Sequence, residues 1–218
     1  KLHDKLKESG FDKKEPISKQ LYDIYGLYPA PGDRHVGEFF PYYMKEEVLM
    51  EQDYEWKNND FKVVDGWREE ARVLFDEVRT KKEGYEEFLK GSGETATYFI
   101  RSLATGDISD EMVNVINNGY IDNVSSGIIV ELPTYIDEFG LHPQKIGKLP
   151  DAIAAQCDRL GREYLLMVEA AATCNYELAR QAMFLDPLVS NCKYPELLLK
   201  DLIRANLDLL PEAWEKHC

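Results

Sequence analysis

From Met112 to Pro143 the chain reads MVNVINNGYIDNVSSGIIVELPTYIDEFGLHP, in which the β-branched runs VNVI and GIIVELPTYI are separated by Asn, Gly and Ser. β-branched residues suit a pleated, half-buried surface and the polar clusters between them mark turns, so two or three strands are expected. The sequence before this block reads as helical or irregular, and everything beyond Leu149 carries helical periodicity. One strand block between helices, with no βαβ alternation, points to an α+β fold: a small antiparallel or mixed sheet with flanking helices. A doubly wound nucleotide-binding domain is not expected within this chain.

The helices follow from apolar spacing. In ISKQLYDIYGLYPAPG, residues Leu21, Ile24, Tyr25 and Tyr28 share one helical face, and Pro29 and Pro31 are expected to stop it. Trp67, Ala71, Leu74 and Val78 predict a surface helix ending near Lys82. Within KGSGETATYFIRSLATG, Ser92 is the expected N-cap of a short helix, Glu94 suits its first turn and Gly106 ends it. Ile153, Cys157, Leu160, Tyr164, Val168 and Ala171 form a long stripe. A second helix is capped by Asn175 and ends at Asp186 before Pro187, and a third carries Leu198, Leu202, Ala205 and Leu209. Lys1–Lys14 is charged and weakly periodic, and residues 1–20 are expected to form an arm or helix ahead of one larger domain, 21–218.

Composition removes whole classes of partner. A chain of 218 residues with 44% hydrophobic content can bury a core. A net charge of −14 opposes nucleic acid and anionic membrane surfaces, because an acidic protein gains nothing from counterion release at phosphates. No apolar run is long enough to span a bilayer and KLHDKLKESG lacks the core of a signal peptide, so a cytoplasmic location is expected. Cys157, Cys174, Cys192 and Cys218 fit no CxxC knuckle or dense disulfide framework and read as reduced thiols. His3, His35, His142 and His217 show no HExxH and no ligand spacing to a cysteine, so a self-contained metal site is not expected.

The densest chemistry lies in PAPGDRHVGEFFPYY, Pro29 to Tyr43, where Asp33, Arg34, His35 and Glu38 follow a proline-fixed turn. An arginine beside a carboxylate keeps it ionised and an imidazole moves protons near neutral pH. On residues alone, a solvated charged turn and a site both remain open. Asn117, Asn118 and Asn123 either cap turns or present amides to sugar hydroxyls, and Glu131 stands in its strand either at an exposed edge or buried with a partner. His142, between Gly140 and Pro143, reads as a turn histidine. Gly91-Ser92-Gly93 lacks the G-x-G-x-x-G spacing of a dinucleotide site, although it could cap a helix or hold an anion.

Taken in order, GDRHVGEFFPYY, SGETATYFIRSLATG, NVINNGYIDNVSSGIIVELPTYIDEFGLHPQKIGKLPDAIAA and EAAATCNYELARQAMFLDPLV resemble the C-terminal half of glycoside hydrolase family 4, over about Leu21 to Pro211. The specific feature is the ordered set N-x-G-x-I-x-N, V-E-x-P, I-D-x-x-G and A-x-x-x-D-P. The resemblance implies a C-terminal domain like that of lactate and malate dehydrogenases, which would follow a Rossmann half absent from this chain. It implies NAD and a divalent metal, usually manganese, both bound mainly by that missing half. Nothing in this chain matches the family's metal-binding cysteine and histidine. The implied chemistry is oxidation of the sugar at C3, proton abstraction at C2 and elimination at C1, an exception to the two-carboxylate rule. Asp33 then reads as base or base orienter, His35 as proton shuttle or hydroxyl ligand, and Arg34, Glu38 and Asn118 as substrate contacts. The expected partners are a small-molecule glycoside, the Rossmann half and further copies of the chain, with no nucleic acid and no membrane, and the isolated chain is expected to be inactive. Two competing readings are a non-catalytic assembly domain and a conventional glycosidase pairing Asp33 with Glu38 or Glu131.

Overall fold

Strand geometry sorts the central block by alternate residues. In the structure, a computed structural model that describes residues 15–44, 61–81, 85–86 and 95–217, β1 is Ser109–Ile116, β2 Ile129–Asp137 and β3 Gly140–Pro143. The sheet order is β1-β2-β3. Strand β2 pairs antiparallel with β3, Thr134 opposite Pro143 and Asp137 opposite Gly140. Leu132, Thr134 and Ile136 are buried on one face of β2 while Glu131 and Tyr135 point to the exposed face, the period of two expected of a half-buried strand. Glu131 therefore stands on the solvated side. His142 lies in β3 rather than in a turn, and its Nε2 is 2.9 Å from Asp137 Oδ1. That correction has a simple cause: the tight turn falls at Glu138–Phe139, where Asp137 Oδ1 accepts from the Phe139 amide at 2.8 Å.

The chain divides into two units, one of Lys1–Tyr54, Asn114–Leu132 and Lys145–Cys218, the other of Glu55–Val113 and Pro133–Gln144. In the second unit, helix α3 runs Phe61–Lys81, starting earlier than the Trp67 stripe indicates, and α4 runs Ala96–Thr105. Ion pairs at helical spacing, Arg72 with Glu69 and Asp76 and Lys81 with Glu77, line the exposed side of α3. Gly106 ends α4 with a φ of 77°, and its amide donates to the Ser102 carbonyl. The position after α4 is tight: a methyl on Gly106 would meet Glu138 Oε2 at 3.0 Å. The expected N-cap Ser92, together with Gly91, Gly93 and Glu94, lies outside the described residues.

In the first unit, α1 is Pro16–Tyr25 and ends at Gly26, whose φ is 71°, one turn before the prolines that were expected to stop it. A single helical turn, α2, spans Asp33–Val36 and leads into 3-10 turns at Gly37–Phe39 and Pro41–Met44. After the strand block the described part of this unit is mainly helical: α5 Asp151–Thr173, α6 Tyr176–Leu185, a 3-10 turn Pro187–Asn191, α7 Pro195–Ala205 and a 3-10 turn Glu212–His217. Asn175 caps α6 as expected, its Oδ1 accepting from the amides of Glu177 and Leu178. Asp186 then caps the Pro187 turn through the Leu188 amide.

Two hydrophobic clusters among the described residues contribute to the core of this unit. Ile121, Val124, Ile128, Leu132 and Ala154 form one, with Val115, Tyr120 and Leu149 around it; Leu199, Ile203 and Trp214 form the other. The predicted stripes need correction here. On α5 the buried positions are Ala154, Glu163 and Ala170, whereas Tyr164 and Val168 are 52% and 66% exposed. On α7 the buried pair is Leu199 and Ile203, while Leu198 and Leu202 are exposed; Leu209, expected on the same helix, lies beyond its end at Ala205 and is exposed. Gly161 allows α5 to approach Ile128 closely. Cys157, Cys174 and Cys192 are free thiols, and burial pushes the Cys157 thiol up. Among the described residues no helix is long and apolar enough to cross a membrane.

Candidate functional site

A helix begins with amides that have no partner inside it, and α1 solves this with a carboxylate from sixteen residues downstream. Asp33 Oδ2 accepts from the Ile17 amide and Oδ1 from the Ser18 amide, both at 2.7 Å. A carboxylate at that end also meets the positive end of the helix dipole. Glu15 closes the arrangement by accepting from the Asp33 amide through Oε2 at 2.6 Å. Asp33 is thus an anchor: both oxygens are engaged by backbone donors, and the turn it begins is fixed to α1. Tyr28 is pushed up by its partial burial and then by the charges of Glu15 and Asp33, which keeps its phenol protonated.

What the anchor presents is the rest of the turn. His35 is exposed, Glu38 is half-buried, and Arg34 stands between Asp33 and His35 with its side chain outside the described part of the structure. Val36, Gly37 and Tyr43 are buried beneath. Tyr43 donates its hydroxyl to Gln20 Oε1 at 2.6 Å and packs edge-on against Phe40 and Tyr42, so the aromatic run fastens the loop back to α1.

The far end of the loop is held by α5. Arg159 Nη2 donates to the Phe39 carbonyl at 3.0 Å and to Gln156 Oε1 at 3.0 Å, while Nη1 donates to the Leu185 carbonyl at 3.3 Å. One turn further on, Glu163 is 4% exposed and its Oε2 has no hydrogen-bond partner among the described residues. Burial pushes its carboxyl up, Asp186 adds to the rise and Arg159 opposes it. Tyr164 is raised in turn by partial desolvation and by the charges of Glu163, Asp186 and Glu38. Glu38, Glu163 and Asp186 therefore act on one stretch of α5, and Arg159 is the cation that acts on Glu163 there. A pocket of about 320 Å³ lies beside it, bounded by Pro41, Arg159, Phe184, Leu185, Asp186 and Cys192 among others.

Asn118 belongs to a different loop. Its neighbour Asn117 is fully buried and organises that loop: Nδ2 donates to the carbonyls of Ile121, Val124 and Ser125, and Oδ1 accepts from the Ile121 amide. Asn123 exchanges two hydrogen bonds with the Leu149 backbone at 2.9 Å. Both are used structurally, which leaves Asn118 as the exposed amide of the three. The structure thus groups Asp33, His35 and Glu38 on one anchored turn and sets Asn118 on the loop after β1. Sequence reading did not single out Arg159, Glu163 or Asp186 as part of this surroundings. Arg159 and Phe39 are 120 residues apart, and nothing local in DRLGREY marks the contact.

Among the described residues no group of three His, Cys, Asp or Glu side chains is arranged to hold a metal ion. The described residues do not fit the metal that the resemblance implies, and no glycine cluster in the sequence has the spacing that fits NAD.

Comparison with known proteins completes the picture. Residues 1–189 match the family described as family 4 glycosyl hydrolase C-terminal domain. An alpha-galacturonidase of Thermoanaerobacterium saccharolyticum is 31% identical over 95% of this chain and 44% of its own length. An alpha-galactosidase of Rhizobium meliloti is 28% identical over 93% of this chain and 43% of its own length. Among solved structures, a 6-phospho-alpha-glucosidase from gut microorganisms, in complex with NAD and glucose-6-phosphate, superposes with a TM-score of 0.71 at 25% identity. That match covers 89% of this chain and 45% of the other. The chain thus spans less than half the length of the relatives it matches.

Proposed function

Because the chain belongs to the family 4 glycosyl hydrolases and corresponds to their C-terminal domain, we propose that it forms the substrate-side half of a glycosidase. The reaction in this reading is hydrolysis of an O-glycosyl bond by NAD-dependent oxidation at C3, proton abstraction at C2 and elimination of the leaving group at C1, followed by addition of water at C1, return of the proton at C2 and reduction of the C3 ketone, which regenerates NAD. NAD and a divalent metal such as manganese, held by a nucleotide-binding half, supply the oxidising capacity and the charge stabilisation. The relatives named alpha-galacturonidase and alpha-galactosidase favour an α-linked galactoside or galacturonide as substrate.

The observation that carries the reading is the doubly anchored turn. Asp33 fixes its start to α1 and Arg159 fixes its end to α5, so His35 is exposed on a segment with little freedom. A proton carrier needs that constraint, because proton transfer depends on reach before it depends on pKa. In this account His35 receives or relays the C2 proton, Arg34 and Glu38 meet sugar hydroxyls, and Asn118 contributes an amide from the second loop. Asp33 serves as the base orienter and not as the base, since each of its oxygens already accepts a backbone hydrogen bond. The same occupancy argues against a conventional pair of Asp33 with Glu38 or Glu131, in which one acid attacks or activates water.

The test is turnover of an aryl α-galactoside and an α-galacturonide by a full-length enzyme carrying this chain. Hydrolysis is expected only with NAD and manganese present, and none from the isolated chain. Turnover by the isolated chain without NAD would sink the reading.

A second reading, that the domain also serves assembly, has its own support. Tyr164, Met167 and Val168 on α5, Phe184 on α6 and Leu197 and Leu202 on α7 are all at least 47% exposed. Apolar surface of that extent commonly marks protein–protein contact. Sedimentation of the full-length enzyme tests it, with a homo-oligomer expected.

A further inference from the structure

We propose that Arg159 is a positioning residue for this reaction: it clamps the loop carrying His35 and Glu38 against the junction of α5 and α6. The proposal rests on the reading of the loop given above.

The clamp depends on guanidinium geometry. Phe39 directly follows Glu38 and closes the 3-10 turn Gly37–Phe39, while Leu185 is the last residue of α6, where helical carbonyls lack intrahelical donors. One planar fork reaches both carbonyls, Phe39 through Nη2 and Leu185 through Nη1, and thereby joins two segments that are distant in sequence. A lysine ammonium at this site has no second, rigidly oriented set of donors. Gln156, three residues back on α5, accepts from Nη2 and holds the fork in plane.

Electrostatics keep the arginine where it is. Arg159 opposes the rise of the buried Glu163 carboxyl, which Asp186 promotes, so the guanidinium sits among acids and its departure would leave Glu163 facing Asp186 without that cation. The loop then has two fixed points, Asp33 on α1 and Phe39 on Arg159, with His35 and Glu38 between them. Releasing one point lets both side chains drift, and displacements of about 1 Å at a site are costly to turnover. Because the loop carries both a substrate contact, Glu38, and the proton carrier, His35, the loss should appear in kcat as well as in KM.

The experiment compares Arg159→Met and Arg159→Lys with the parent in the full-length enzyme, reading steady-state kinetics, NAD affinity and amide hydrogen exchange. For Arg159→Met, KM for the glycoside should rise and kcat should fall, with kcat/KM down at least about tenfold, the size of one charge-assisted hydrogen bond. NAD affinity should be unchanged, and exchange should quicken across Gly37–Tyr43 while the α6 and α7 amides keep their protection. Arg159→Lys should fall between the two in KM and in loop exchange, and it carries both measurements if the methionine variant does not fold.

Parent-like KM and loop exchange would overturn the proposal. So would a loss of NAD affinity and of helix protection alongside the kinetic defect, which would mark Arg159 as a general stabiliser. If the parent itself hydrolyses no glycoside, the family-based activity fails, while loop exchange still decides the role of Arg159.

Discussion

Gly161 lies so close to Ile128 that a methyl added to the glycine would stand 2.5 Å from Ile128 Cδ1 and 2.8 Å from its Cβ. Ile128 is 1% exposed and belongs to the core cluster, so it has little room to yield. Gly161→Ala gains up to about 1 kcal/mol of helix propensity but incurs an overpacking cost of about 1–3 kcal/mol. The expected result is a net loss of about 1–2 kcal/mol in urea unfolding. A stabilised Gly161→Ala would mean that α5 does not rest on Ile128.

Asn117 exerts its effect at the loop after β1. Replacing it with alanine leaves the carbonyls of Ile121, Val124 and Ser125 and the Ile121 amide short of a partner in a buried setting. Unsatisfied buried groups cost about 1–3 kcal/mol each before relaxation, so Asn117→Ala should lose about 3 kcal/mol in denaturant titration. Asn117→Asp should not rescue it, because a carboxylate brings no donor to three carbonyl oxygens.

At the anchored turn, two neighbouring substitutions should separate cleanly. His35→Asn removes an exposed side chain, so the melting temperature should stay put while turnover of the full-length enzyme falls about a hundredfold or more. Asp33→Ala removes the cap of α1 and should cost about 1–2 kcal/mol of stability as well as activity. If His35→Asn retained full turnover and lost stability instead, the proton-carrier role would pass to another residue.

Asp158 gives a pH signature. It accepts from the Ser125 amide at 2.8 Å and from Arg162 Nε at 2.7 Å, and the hydrogen bonds from Ser125 and Arg162 hold its carboxyl down at about 2. A carboxyl depressed in the folded state stabilises the fold above its unfolded value of about 3.9 and loses that contribution as pH falls through the folded one. The stability gap between the parent and Asp158→Asn should therefore be constant above about pH 5 and close between about pH 4 and pH 2. A gap that persists undiminished at pH 2 would deny the charge its role.

Glu163 should behave in the opposite sense. Its folded carboxyl is raised, so ionisation penalises the fold increasingly as pH rises through the folded value, and the penalty is absent at low pH. Glu163→Gln should accordingly raise the melting temperature near pH 8 relative to the parent, with the advantage shrinking toward pH 4. A pH-independent difference would show that shape, not charge, decides the site.

The sheet and the helix order could be read from the sequence because each rests on a local signal: β-branched runs, Asn175 as a cap, Gly106 as a stop. Which face of a helix turns inward could not. In PELLLKDLI the three consecutive leucines make neighbouring faces almost equally apolar, and only tertiary packing selects Leu199 and Ile203 over Leu198 and Leu202. On α5 the contact surface uses small residues, Ala154, Gly161 and Ala170, which a search for large apolar side chains passes over. The anchored turn was visible as a cluster of charges, yet its organisation was not: Asp33 reads as a reactive group until Ile17 and Ser18 are seen donating to it. Arg159 carried no local mark at all, since its meaning lies in a carbonyl 120 residues away.

The bond from the Ile17 amide to Asp33 closes a ring of chain whose ends are sixteen residues apart, and the stretch from Gly26 to Gly32 lies on its far side. In polymer terms the cost of such a closure grows only with the logarithm of its length. The connecting stretch is thus a strap between two riveted ends: lengthening it by a few residues changes the ring's perimeter but not where the rivets sit. The turn bearing His35 keeps its place because the carboxylate, rather than the peptide path leading to it, sets the address.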